Sequence, residues 1–207
     1  MKANYEGGNI YNKYESKNPF VKALMKLYFK DFDALINPIK DEINSALEIG
    51  CGEGYVTQHI NDLGINVEGA DVTEKIIEIA RVLHPSIKFS VKSIYKLSCY
   101  NKFYDLIFAI EILEHLHNPE KAIEEMKKVS NKYLFFSVPN EPFFRFVNIL
   151  RLKYLRAFGN TPGHLNHWTK NSFRAFLERQ NLCKIKLKAS TLWLVALCEI
   201  QNDAKVI

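Results

Sequence analysis

The strongest constraint on this fold is a regular alternation between residues 45 and 139. Short apolar runs take turns with segments of helical spacing: "SALEIG", "INVEGAD", "KFSV", "FYDLIFAI" and "KYLFFSV" read as five strands. Between the first two, Val56, Ile60 and Leu63 form one helix face, stopped at Gly64. Thr73 is placed to cap "EKIIEIARVL", with Ile76, Ile77, Ala80 and Leu83 facing inward until Pro85 ends it. Asn118-Pro119-Glu120 opens a further helix through Ser130. Strands and helices joined by short connections predict a parallel sheet with helices on both faces. Phe103 to Ile110 is apolar almost throughout, as a central strand covered on both sides must be.

The pattern changes after residue 168. Thr169 caps a helix through about Asn181, and "CKIKLKA" and "TLWLVALCEI" follow with little between them. So short a gap makes a hairpin, and at least one of these strands must run antiparallel to the rest. Ahead of the alternation, Asn18 and Pro19 open a helix in which Phe20, Leu24, Leu27 and Leu35 recur at helical spacing. With 207 residues, 47% of them hydrophobic, the chain can fill one core. The longest apolar window, "LWLVALC", suits a buried strand and falls far short of the ~20 residues that span a bilayer. The opening "MKANYEGGNIYNKYESKNPF" lacks a signal-peptide run, and Cys51, Cys99, Cys183 and Cys198 are widely spaced. Reduced thiols and a cytoplasmic protein are the expectation. A net charge of +5 is a mild surplus that does not call for nucleic acid.

The corner "LEIGCGEGY" lies where the first strand meets its helix. A triphosphate loop requires a Lys-Ser or Lys-Thr pair after its glycines, and none follows. In the dinucleotide fingerprint the third glycine packs helix on strand, but here that place falls on Tyr55. Glu53 would also oppose a pyrophosphate at the helix start. A ligand carrying adenosine without phosphate fits better. Asp71, about twenty residues on at the end of the second strand, stands at the general spacing of a ribose-binding acid.

Taken with "GADVTEKIIEIAR", "FYDLIFAIEILEHLHNPEKAIEEM", "LFFSVPN" and "GHLNHWTKNSFRAFLERQNL", the corner resembles the class I S-adenosylmethionine-dependent methyltransferases. Within them the chain is most similar to the group typified by quinone-biosynthesis O-methyltransferases. The resemblance covers about residues 11 to 200. It implies one α/β, Rossmann-like domain over residues 1–207, with helices on both faces of a seven-strand, mostly parallel sheet in the order 3-2-1-4-5-7-6, strand 7 antiparallel. It implies S-adenosyl-L-methionine as cofactor, with Gly50, Cys51 and Gly52 under its methionine part, Asp71 on the ribose and Val72 against the adenine. Ser93 aligns with an acid that often reaches the adenine amine, the Ile94 amide adds recognition, and Ile110 packs beside the sulfonium.

Methyl transfer needs a nucleophile held in line with an activated carbon, and a hydroxyl acceptor must also lose its proton. Candidates cluster in "EILEHLH", after the fourth strand, where open α/β sheets bind ligands. Glu111, Glu114 and His115 would share one face if a helical turn forms there, and His164 and His167 return later in "GHLNHW". Glu114, His115 and His164 are the catalytic candidates. The same set, with Glu111, could hold Mg or Zn, as a similar Glu-x-x-Glu-His with a distal His does in small-RNA 2'-O-methyltransferases; the favoured assignment is metal-free. A purely structural role for Glu114 and His115 also stays open. Residues 1–44 form an expected amino-terminal helical cap, with Tyr11 and Tyr14 ahead of its helix. Residues 141–168 form an expected cap insertion, whose core carries Arg145, Arg151, Lys153 and Arg156 and no acid. That insertion covers the site, touches a membrane surface or lipid-like substrate, or, least favoured, meets nucleic acid. The expected activity is transfer of a methyl group to a small-molecule or lipid-like acceptor, through oxygen. The alternatives are a metal-dependent RNA 2'-O-methyltransferase and a cofactor-binding module without chemistry.

Overall fold

Strands covered on both faces have no solvent side, so their side chains read as unbroken apolar runs. The computed structural model describes residues 14–141, 143, 163–190 and 192–201. Its strands are β1 (Ala46–Ile49), β2 (Val67–Asp71), β3 (Lys88–Val91), β4 (Tyr104–Ile110), β5 (Ser130–Pro139), β6 (Leu182–Ser190) and β7 (Trp193–Ile200). Its α-helices are α1 (Pro19–Ile36), α2 (Tyr55–Asp62), α3 (Glu74–Leu83), α4 (Pro119–Val129) and α5 (Lys170–Arg179). One sheet holds all seven strands in the order β3-β2-β1-β4-β5-β7-β6. The pairings from β3 across to β5 are parallel, and β7 runs antiparallel to both β5 and β6. This is the sheet the hairpin and the resemblance imply.

β4 shows how the layers form. Leu106, Phe108 and Ile110 point towards α1 and α2, while Ile107 and Ala109 point towards α4 and α5. All five are buried. Period two therefore places apolar groups on both faces, and each face needs its own helical layer.

Caps behave largely as the sequence predicts. The Asn18 side chain accepts from the Phe20 amide, Asn118 accepts from Lys121, and Thr169 forms a reciprocal capping box with Ser172. Thr73 occupies the cap position of α3 without a side-chain bond; its amide donates instead to Asp71 Oδ1 at 2.9 Å. The buried face of α1 includes the expected Leu35, with Leu24 packed at its edge, but departs from the expected set elsewhere. Met25, Tyr28, Phe32, Leu35 and Ile36 turn inward, whereas Phe20 and Leu27 are exposed. Several residue sets on this helix share the 3.6 period, and aromatic partners on the sheet select among them: the Phe32 ring stacks at 5.7 Å from Phe108 and lies 4.5 Å from Phe135. Leu83 is likewise exposed at the end of α3. No described helix is long and apolar enough to cross a membrane.

β1 has β2 on one side and β4 on the other. Its connection leaves towards β2, while the loop after β4 departs the other way, so a crevice opens between their carboxyl ends. Beneath it lies one acid inside an otherwise apolar strand. Glu48 is 2% exposed and accepts from the Thr57 hydroxyl of α2. Burial pushes its pKa up to about 8, with the Asp71 charge adding to the rise and the Thr57 bond opposing it.

Two predictions follow from this packing. Phe32→Ala should cost about 3–5 kcal/mol in urea unfolding, because its ring is enclosed by sheet aromatics, whereas Phe20→Ser should stay within about 0.5 kcal/mol. Glu48 binds its proton more tightly folded than unfolded. The stability it contributes is therefore complete below its unfolded value of 4.5 and is lost as pH rises towards about 8. Across that window the unfolding constant should rise by up to about tenfold per pH unit. Glu48→Gln should flatten the rise in denaturation curves taken from pH 5 to 8.

Candidate functional site

The glycine corner is a bend tied to the neighbouring strand. The Gly50 and Cys51 amides both donate to the Ala70 carbonyl, at 2.7 and 3.0 Å. Gly50 and Gly52 hold φ of +78° and +53°, a region where a side chain is strained. Their surroundings differ. A Cβ on Gly50 would lie 2.4 Å from Ile112 Cδ1, so that glycine admits a side chain arriving from the loop after β4. A Cβ on Gly52 would meet nothing within 4 Å, so its backbone faces open space. Of the two expected to underlie a ligand, Gly52 therefore offers bare peptide, while Gly50 permits close packing of two loops.

Asp71 closes the corner from the side. One carboxylate oxygen accepts from the Gly52 amide at 3.2 Å and the other from Thr73 at 2.9 Å. A carboxylate offers about four lone-pair positions, so capacity remains for ribose hydroxyls. Val72 beside it is 69% exposed, an apolar surface that an adenine ring would cover. Ser93 Oγ already accepts from the Tyr95 amide at 3.3 Å, where it caps a 3-10 turn. The Ile94 side chain is buried under that turn, Ile110 is buried in the core layer beneath α1, and Cys51 packs with Ile77, Ala80 and Phe89. These three side chains are core residues, each in a different apolar cluster. The residues fit S-adenosylmethionine: an open peptide bend, an acid at ribose position, and an exposed apolar neighbour.

Beyond β4 the chain forms a 3-10 turn at Leu113–His115. Glu111 precedes it with φ +51°, a left-handed residue that breaks helical continuity. The shared face expected for Glu111, Glu114 and His115 therefore does not form. Glu111's charge instead bears on Tyr14 and Tyr28, whose hydroxyls burial and then Glu111 hold well above the ordinary tyrosine range. Tyr14 stacks on Tyr55 at 5.4 Å and so covers the start of α2, beside the glycine corner.

A strap of residues 163–168 is laced over the turn. The Leu165 and Asn166 amides donate to the Glu114 carbonyl at 2.7 and 3.0 Å, and the Asn166 side chain donates to the Leu113 and Leu116 carbonyls. Its far end is held by the Glu141 amide, which donates to the Trp168 carbonyl at 2.9 Å. His164 is thereby delivered to His115, with ring centroids 4.9 Å apart. Glu114, His115 and His164 bring donor atoms within 4.8 Å of one another, and Glu114 is 1% exposed. His115 Nδ1 lies 2.9 Å from the Gly163 carbonyl. Because a carbonyl only accepts, Nδ1 donates in this bond, and Nε2 is the nitrogen that can accept a proton. One carboxylate and two imidazoles, one of them locked by a backbone carbonyl, is a donor set that fits a divalent cation as well as an acceptor's proton.

Two features escaped the sequence reading. Glu141 was expected only to begin an insertion, yet it is 7% exposed and belongs to a second group of donors with His164 and His167. Glu48 carried a signal, a lone acid within a buried strand, that pointed to a partner on the next helix. Tyr11 and the basic residues Arg145, Arg151, Lys153 and Arg156 lie outside the described residues.

Comparison with known proteins agrees with this geometry. The family model described as a methyltransferase domain matches residues 21–187. A mitochondrial ubiquinone biosynthesis O-methyltransferase from Dictyostelium discoideum is 25% identical over 95% of this chain and 63% of its own length. A ubiquinone biosynthesis O-methyltransferase from Hydrogenovibrio crunogenus is 31% identical over 53% of each chain. This chain thus spans about half to three-fifths of the curated relatives' lengths. Among solved structures, a plantazolicin methyltransferase in complex with a monoazolic desmethylPZN analog and SAH superposes with a TM-score of 0.68 at 18% identity, covering 91% of this chain and 87% of that one. With the family model spanning most of its length, and the glycine corner, Asp71 and sheet order in place, this chain belongs to the class I S-adenosylmethionine-dependent methyltransferases.

Proposed function

We propose that this protein transfers a methyl group from S-adenosylmethionine to an oxygen of a small-molecule or lipid-like acceptor, with Glu114, His115 and His164 at the acceptor. The observation that carries the reading is the convergence of those three side chains at the carboxyl end of β4, one loop from the glycine corner. Family membership supports methyl transfer, and the ubiquinone O-methyltransferases among the relatives support a hydroxyl acceptor.

The residues divide the work. Gly52 admits the cofactor's methionine part, and Asp71 orients its ribose. His115 Nε2 takes the acceptor proton, its ring held by the Gly163 carbonyl. His164 faces the same point from the strap, and buried Glu114 brings a carboxylate oxygen within 4.8 Å of both imidazoles. The same three side chains would hold a divalent cation; when bound, it would lower the pKa of the acceptor hydroxyl as a Lewis acid. Tyr14 closes the crevice from the amino-terminal side and keeps water from the reacting atoms.

Binding and turnover should separate by residue. Asp71→Ala should weaken S-adenosylhomocysteine in calorimetry by about 10–100-fold, the loss of hydrogen bonds to a charged group. Ser93→Ala should change it by less than about fivefold, since its hydroxyl is engaged in a cap worth ~1 kcal/mol.

Transfer from labelled S-adenosylmethionine to catechol-type hydroxyls should fall by about 10²–10⁴-fold in His115→Ala and Glu114→Gln. Cofactor affinity in both should stay near that of the parent. Chelator treatment that lowers the rate, with recovery on adding back a divalent transition-metal cation, would establish the cation; a rate indifferent to chelator would leave His115 as the base. A folded protein that binds no cofactor would defeat the whole assignment.

A further inference from the structure

His164 belongs to two groups of donors. Besides its neighbours Glu114 and His115, it shares a second cluster with Glu141 and His167, whose ligand atoms also lie within 4.8 Å of one another. We propose that Glu141, His164 and His167 form a second cation position, selective for a nitrogen-seeking ion such as Zn²⁺, and that filling it draws His164 away from the acceptor and inhibits transfer.

The local chain explains why these groups meet. β5 continues past Pro139 into a bridge between Asn140 and Trp168, so Glu141 is set beside the strap. His164 and His167 stand three residues apart on that strap, their ring centroids 6.5 Å apart. Glu141 Oε1 and His167 Nδ1 are separated by 3.8 Å. Tetrahedral zinc with ligands near 2.1 Å sets neighbouring donors about 3.4 Å apart, so that pair is almost at binding distance. Burial suits the site too. Glu141 is 7% exposed, which enhances its attraction for a cation, and His167 is exposed, which gives the ion a way in.

The donor types choose the ion. Two imidazoles and one carboxylate are the protein ligands of many catalytic zinc sites, whereas Mg²⁺ and Ca²⁺ prefer oxygen throughout. Both clusters draw on one imidazole, His164, so occupying the second position competes with the first. The inhibitory half of the proposal rests on the role given above to His164. The binding half does not.

The test is calorimetric titration of Zn²⁺ into chelator-treated protein without cofactor, paired with zinc-edge X-ray absorption to count imidazole ligands. The parent should bind one Zn²⁺ through two imidazoles. His167→Ala should weaken binding by at least roughly the 10–100-fold that losing even an outer-shell partner costs, and Glu141→Gln should do the same. His167 is exposed, so its variant should keep the parent's circular dichroism, which removes misfolding as an explanation. Transfer rates, each measured relative to that variant's own zinc-free rate, should show inhibition in the parent that shifts to higher Zn²⁺ in His167→Ala by the same factor. Zn²⁺ binding that survives both substitutions and disappears in His115→Ala would overturn the proposal, as would no Zn²⁺ binding at all. The calorimetry needs no turnover, so a chain inactive towards every acceptor would defeat the functional assignment and leave the cation position to be judged on binding.

Discussion

The site depends on one topological constraint: β1 and β4 lie side by side but send their chains away in opposite directions. Parallel strands must be joined by crossovers, and these pack helices onto both faces of the sheet. β1 turns towards β2 through the glycine corner, and β4 turns the other way through Glu111 and the 3-10 turn. Neither loop can cover the gap between them. A crevice with backbone on one wall and ionisable side chains on the other is the unavoidable result.

What makes this crevice specific is a set of hydrogen bonds to main-chain carbonyls. The carbonyls of Leu113, Glu114 and Leu116 receive the Leu165 and Asn166 groups, and Glu141 pairs with Trp168. Imidazoles some fifty positions apart in the chain therefore meet through bonds made by the main chain and by Asn166, not through their own attraction. That arrangement sets the positions of the imidazole rings before any ligand arrives, which is what preorganisation demands. Asp71 is fixed in the same manner on the opposite wall, since its two carboxylate oxygens accept from the Gly52 and Thr73 amides.

Buried ionisable groups ring this region. Glu48 sits below the corner, Tyr14 and Tyr28 feel Glu111, and Glu114 and Glu141 lie beneath the strap. Burial of charge is costly unless a partner or a proton compensates. Concentrating such groups around one crevice gives the fold less stability than apolar side chains would, which is a common price of a working site.

The amino-acid sequence alone determined the strand and helix alternation, the closing hairpin, the caps at Asn18, Asn118 and Thr169, and the pairing of glycine corner with Asp71. These are local matters of period, turn chemistry and spacing, and the chain carries them in every conformation. It also nominated Glu114, His115 and His164 one by one. Tertiary structure decided which of them meet. The left-handed backbone at Glu111 removed that acid from the group, and the Asn140–Trp168 bridge brought Glu141 in. It decided as well that Met25 and Phe32, and not Phe20 and Leu27, line the core, because sheet aromatics choose between helix faces of equal period. Contacts between distant segments depend on how loops close in space, and no periodicity within one segment records that.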